Sequence, residues 1–176
     1  ESSLAERLKK GTTMQRPERW TSTAERVVRR TIDIVVAGTA LLVLGPLMAL
    51  IAVAVRLTSP GPALFTQRRV GFGRKPFCFY KFRTMRVGSD DGAHRELIAR
   101  ELRGEDTSIR GSYKLNGDSR VTRVGSVLRR TSLDELPQLI NVLRGDMTLV
   151  GPRPCLEWEA EMFPNEYDER FAVRPG

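Results

Sequence analysis

At 176 residues the chain can form one domain with a core and an appendage. Its two cysteines, Cys78 and Cys155, lie far apart and outside any CxxC or Cys/His cluster, which excludes a disulfide scaffold and a zinc site and fits a reducing, cytoplasmic-side setting. A formal net charge of +8 calls for an anionic partner: nucleic acid, a membrane surface or a phosphorylated substrate.

Residues 1–25 are polar and charged, without the apolar core of a secretory signal, and read as a lead-in, a linker or a short surface helix. A chain that begins at Glu1 and stops at Arg174-Pro175-Gly176 is expected to be part of a longer protein. Ile34 to Val55 is an apolar run of 22 residues without a charge. As a helix it would be about 33 Å long, enough to cross a hydrocarbon core of about 30 Å. The alternative is a buried helix of a soluble domain.

Gly45-Pro46 stands at the centre of the run, where proline removes a backbone hydrogen bond and favours a kink or break. Arg26, Arg29 and Arg30 precede the run, and Arg56, Arg68 and Arg69 follow it. Positive flanks stay on the cytoplasmic side, so both ends ask for the same face of the membrane. A re-entrant helix broken at Pro46 meets both demands; an ordinary kinked span is the other reading. The resulting organisation is a lead-in over 1–25, a re-entrant membrane segment over 26–56 and a cytoplasmic domain over 57–176.

Ser59-Pro60-Gly61-Pro62 reads as a rigid turn. Ala63–Val70 and Pro76–Met85, rich in aromatic and β-branched residues, flank Gly71–Lys75 as a predicted hairpin. From Arg56 to Ser89 there are eight basic residues and no acidic one, while Glu157 to Glu169 is acidic. One basic face with an acidic counterweight is not the pattern of a nucleic-acid arm. His94–Arg103 reads as an amphipathic helix with Leu97, Ile98 and Leu102 on one face, followed by loop over Gly104–Asn116. The loop pair Asp90-Asp91 and the single histidine, His94, read as solvated surface. Val121, Val124, Val127 and Leu128 recur at helical spacing, and Gln138–Leu143 is a second short helix ended by Gly145. Trp20, Trp158 and Tyr167 read as interfacial anchors or core. The fold class is α+β, with short helices and a hairpin beside the membrane segment.

The chemistry concentrates in Arg129–Pro154, where the adjacent acids Asp134 and Glu135 follow Arg129-Arg130 and precede Arg153. Two structural explanations exist for the acids. Asp134 could cap a helix with Pro137 in its first turn, or Ser132 and Glu135 could form a capping box. The chemical explanation is that a carboxylate, ionised at neutral pH, attacks a phosphoryl group without a general base. Phosphoryl transfer is mostly positioning and charge neutralisation, and arginines surround the acids. Asp134 and Glu135 together could also hold Mg²⁺, which prefers carboxylate and phosphate oxygens.

The chain resembles the bacterial sugar transferase family, the monotopic phosphoglycosyl transferases that prime polyprenyl-linked glycan assembly. The matching residues include Arg30, Asp33, Ser59-Pro60-Gly61-Pro62, Gln67–Gly71, Lys81–Met85 and Asp118-Ser119-Arg120. They continue through Thr131–Gln138, Asn141-Val142-Leu143, Gly145-Asp146-Met147, Val150–Pro154 and Arg174-Pro175-Gly176, covering the chain from about Arg26 to its end. Strings such as TSLDELPQL and LVGPRP make the match specific. The resemblance implies a monotopic inner-membrane protein with its catalytic domain on the cytoplasmic face. It implies that the aspartate of the Asp-Glu pair attacks the β-phosphate of a UDP-sugar, expels UMP and forms a covalent sugar-phosphate intermediate. Polyprenyl phosphate, of undecaprenyl type, then takes the sugar phosphate.

Carried over, Asp134 is the nucleophile and Glu135 its partner at the Mg²⁺. Arg129 and Arg153 are phosphate-binding, and Lys81 and Arg83 lie where the lipid phosphate arrives. The family breaks its membrane helix at a Ser-Pro pair; here the pair is Gly45-Pro46. Homo-oligomerisation is left open, and the sugar and glycan pathway are not fixed. A rival class is a non-enzymatic, membrane-anchored basic module that binds anionic lipid through the Arg56–Ser89 face. A nucleic-acid binder is disfavoured by the membrane-length run.

Overall fold

The computed structural model describes residues 22–88, 120–163 and 165–176. The predicted helix His94–Arg103, the loop Gly104–Asn116, Asp90-Asp91, Trp20 and the Tyr167 side chain lie outside the described residues.

Helix α1 spans Thr23–Thr58. The Ser22 hydroxyl accepts the Glu25 N–H at 3.1 Å, satisfying one donor that the first turn leaves orphaned. Glu25 in the first turn and Arg56 in the last complement the helix dipole. The helix ends where Ser59 becomes extended ahead of Pro60, the conformation that pre-proline sterics favour. Pro46 lies inside α1 with helix on both sides, so no loop separates the two halves. A Cβ at Gly45 would meet nothing within 4 Å, so a serine would fit there. Only 11% of the most apolar window of α1 is buried, unlike the core helix of a soluble domain. Leu42, Val43, Leu50, Val53 and Leu57 stand exposed along it.

The buried positions of α1 are Asp33, Ala37, Ile51 and Val55. They fall near its two ends, and both ends rest on the same small domain. Ala37 shares a buried cluster with Phe79, Val142 and Met147. Ile51 and Val55 share another with Phe82 and Leu128. At the first end Arg30 donates to the carbonyls of Val142 and Leu143, each at 2.6 Å. The Asp33 carboxylate accepts the Thr148 hydroxyl and the Leu149 N–H, each at 3.0 Å.

Beyond the turn at Ser59, strands β1 (Leu64–Val70) and β2 (Pro76–Phe82) pair antiparallel with Phe65 opposite Lys81. Gly73 at φ 63 turns the hairpin loop, a conformation that costs glycine little. Helices α2 (Arg123–Thr131) and α3 (Gln138–Arg144) follow, joined by a 3₁₀ turn at Leu133–Glu135. Gly145 closes α3 at φ 87, its N–H bonding the carbonyls of Asn141 and Val142. Strand β3 (Cys155–Leu156) pairs with the far edge of β1, giving the sheet order β2-β1-β3. Helix α4 (Glu157–Met162) and a 3₁₀ segment, Asn165–Ala172, complete the described chain. Val70, Cys155, Ala160 and Phe171 form a third buried cluster between them. The α+β class and the hairpin thus match the sequence expectation.

One buried amide ties α3 to the sheet. Asn141, with no exposed surface, accepts the Tyr80 N–H at 3.1 Å and donates to the Cys78 carbonyl at 2.6 Å. It pairs with β2 as a neighbouring strand would, on the edge that β1 leaves open.

Candidate active site

The site is assembled at the end of β2. Thr122 caps α2 by accepting the Gly125 N–H at 2.9 Å. A Cβ on Gly125 would collide with the Thr84 carbonyl, so glycine alone permits this close approach of α2 to the chain leaving β2. The approach puts the Arg129 Nε 2.9 Å from the Thr84 hydroxyl. That bond fixes the guanidinium, and its two terminal nitrogens have no hydrogen-bond partner among the described residues.

After Thr131 the chain reverses through Ser132, held left-handed at φ 57. The 3₁₀ turn that follows sends Leu133 and Leu136 onto Ile51, Val55 and Phe82. Between them Asp134 is buried at 8% exposure, whereas Glu135 is exposed. Neither structural explanation for the acids is realised: Ser132 makes no side-chain cap bond, and the position before α3 is Pro137, which has no capping group. Among the described residues the Asp134 carboxylate has no hydrogen-bond partner.

Lys81 lies opposite Phe65, with its ammonium 5.0 Å from that ring's centre. Burial pushes the ammonium below the usual lysine range, and the charges of Arg129, Arg69 and Arg153 push the same way. Asp134 opposes them, so Lys81 sits in a field formed by three arginines and one carboxylate. Arg153 is exposed on the Val150–Pro154 loop. The end of the chain cradles that loop: the Pro175 carbonyl accepts the Thr148 N–H at 2.8 Å, and the Gly176 N–H bonds the Pro152 carbonyl at 3.0 Å.

Asp134, Arg129 and Arg153 thus all act through space on Lys81, and Glu135 follows Asp134 in the chain. Arg83 is placed differently. It is buried and donates to the carbonyls of Ser59 at 2.5 Å and Pro60 at 2.8 Å, pinning the turn at the end of α1. Two contributors were not singled out from sequence. Arg69 bonds the Pro154 carbonyl at 3.0 Å, lies over the Phe79 ring and adds to the field at Lys81. Thr84 orients Arg129. Arg69 follows another arginine on a strand and Thr84 ends a short motif, so neither carried a signal of its own.

Two adjacent carboxylates form an all-oxygen donor pair, which fits Mg²⁺; that ion is held by one or two carboxylates plus substrate phosphates and keeps several waters. Among the described residues no group of three or more acids, histidines or cysteines converges on one point.

Residues 24–176 match the family described as bacterial sugar transferase, and the chain belongs to that family. Over 152 residues it is 45% identical to the UDP-glucose:undecaprenyl-phosphate glucose-1-phosphate transferase of Caulobacter vibrioides, covering 84% of this chain and 50% of that protein. It is 42% identical over 152 residues to the UDP-N-acetylgalactosamine-undecaprenyl-phosphate N-acetylgalactosaminephosphotransferase of Aeromonas hydrophila, covering 85% of this chain and 32% of that one. It is 40% identical over 157 residues to the undecaprenyl-phosphate galactose phosphotransferase of Salmonella typhimurium, covering 87% and 32%. The chain thus spans half or less of the length of these relatives.

Proposed function

We propose that this chain transfers a sugar 1-phosphate from a UDP-sugar to polyprenyl phosphate in two steps through Asp134. The observation that carries the reading is a buried aspartate with no hydrogen-bond partner among the described residues, acting on Lys81 together with Arg129, Arg69 and Arg153, on a chain of this family. In the first step a carboxylate oxygen of Asp134 attacks the β-phosphorus. The bond from that phosphorus to the bridging oxygen breaks, and UMP leaves with the electron pair. In the second step an oxygen of polyprenyl phosphate attacks the same phosphorus, giving polyprenyl diphosphate sugar and restoring Asp134.

Arg129 and Arg153 neutralise the diphosphate as charge shifts to the leaving group, and Lys81 holds the transferring phosphoryl group. Arg83 acts through the Ser59-Pro60 turn, as a positioning residue. Asp134 and Glu135 would hold Mg²⁺, which when bound supplies charge neutralisation at the phosphates.

Both ends of α1 rest on one domain, and arginines flank the apolar run on both sides. These features support a re-entrant segment that bends at Pro46 without leaving helical structure. The domain then lies on the cytoplasmic face of the inner membrane. Relatives named for glucose, galactose and N-acetylgalactosamine transfer make the sugar a matter for assay.

The test is UMP release from a panel of UDP-sugars by the full protein in detergent, with Mg²⁺ and polyprenyl phosphate. Lipid-dependent release that disappears in Asp134→Asn is expected. A folded protein that releases no UMP from any donor, yet binds anionic vesicles, would instead be the non-enzymatic lipid module.

A further inference from the structure

Apart from the catalytic candidates, the described residues enclose a groove of about 580 Å³ between the first turns of α1 and the chain just before the Arg153 loop. Val28, Ile32, Leu149 and Val150 supply its apolar walls, and Arg29 and Asp33 also line it. None of Asp134, Glu135, Lys81, Arg129 or Arg153 does. The depth of this groove relative to α1 is fixed by two hydrogen bonds: the Asp33 carboxylate holds the Thr148 hydroxyl and the Leu149 N–H, each at 3.0 Å. Asp33 is the last charge before the apolar run, so Leu149 and Val150 stand where that run begins.

Val150 is 80% exposed, and Val28 and Ile32, which line the groove with it, are each more than half exposed. Past Arg29, Arg30 and Asp33 the apolar surface resumes along α1 at Val35, Val36 and Leu42. Aliphatic side chains left open at this level are unfavourable against water and favourable against acyl chains. Arg29 lines the groove one turn before Asp33, Arg26 lies one turn before Arg29, and Glu25 sits toward the groove's end farthest from the run.

We propose that the Thr148–Val150 loop is a second membrane-contact surface, its groove taking the acyl chain of a bilayer phospholipid whose phosphate faces Arg26 and Arg29. The inference rests on α1 being membrane-embedded. It gives the domain a contact with the bilayer at a point separate from the helix, and so fixes its rotation about the α1 flank.

The test places an environment-sensitive fluorophore on Val150→Cys in a Cys78→Ser background, where the remaining Cys155 is buried. The full protein is reconstituted in phosphatidylethanolamine–phosphatidylglycerol vesicles. Nitroxide is supplied either on the acyl chain near the headgroup or in the aqueous phase. A label at Leu42, 82% exposed in the middle of the run, reports α1 itself. For a side chain at the headgroup–acyl boundary, lipid-borne nitroxide is expected to quench the Val150 label by about twofold or more, with little aqueous quenching. Quenching of Val150 only from water, with Leu42 quenched from lipid, overturns the proposal and leaves membrane attachment standing. Protection of Val150 from both quenchers means a protein cover, such as a second copy, and also overturns it. Failure of lipid quenching at Leu42 removes the membrane reading itself.

Discussion

At the seam between α1 and α3, arginine, aspartate and asparagine direct their polar groups onto the protein's own chain. Arg30 binds two carbonyls, Asp33 takes a hydroxyl and an N–H, and Asn141 serves both polar groups of the β2 edge. At the turn after α2 the same kinds of residue do the reverse. Among the described residues Asp134 has no hydrogen-bond partner, and Arg129 bonds only through Nε, to Thr84. The contrast separates residues that hold the domain from residues left to meet a ligand. Type does not distinguish them, since each group contains both arginines and an aspartate.

The sharpest way to break this comparison is to remove charge on the ligand-facing side. Asp134→Asn is expected to lower turnover by about 10⁴-fold or more, as loss of a covalent nucleophile does, while thermal unfolding of the variant matches the parent. Retention of substantial UMP release would return Asp134 to the structural group.

On the holding side, Asn141→Leu strips a part-buried N–H and a part-buried carbonyl of their partners and is expected to cost about 1–3 kcal/mol of stability. Denaturant titration would measure it, and residual activity should follow the folded fraction. Gly125→Ala pushes a methyl group into the Thr84 carbonyl and is expected to cost about 1–3 kcal/mol, as overpacking does. It also displaces Arg129, so kcat/KM should fall further than unfolding accounts for. That would make Gly125 the one residue here that belongs to both groups.

The smallest effect is a shape rather than a loss. Lys81 must be charged to meet phosphate, and its pKa is lowered from 10.5 by burial and then by Arg129. As pH rises through that lowered value the ammonium loses its proton, so kcat/KM for the UDP-sugar should decline at a pH below 10.5. Lys81→Arg should move the decline to higher pH. An alkaline limb unchanged in that variant would assign the limb to another group.

How far the sequence foretold this depends on the range of the interactions. The apolar helix, the hairpin and the helix closed by Gly145 rest on local patterns, and all three are found. Asp134-Glu135 was ambiguous, because caps and nucleophiles are drawn from the same residues; the left-handed Ser132 and the absent cap bonds resolve the structural side. Lys81 and Arg83 are two apart and read as one basic motif. Strand β2 ends between them, at Phe82, and Arg83 turns back to Ser59 and Pro60. Arg69, Thr84 and Asn141 gained roles through contacts 85, 45 and 61 residues away in sequence, which no local pattern encodes.

Helix α3 has the α1 contact at one end and the acids at the other. Arg30 grips its last carbonyls, and Pro137, directly before its first residue, follows the Asp134 turn by two residues. Seven residues make a rod of about 10 Å, too short to flex. A change in the tilt of α1 would therefore be carried along this rod to the Asp134 turn, as a lever moves its far end.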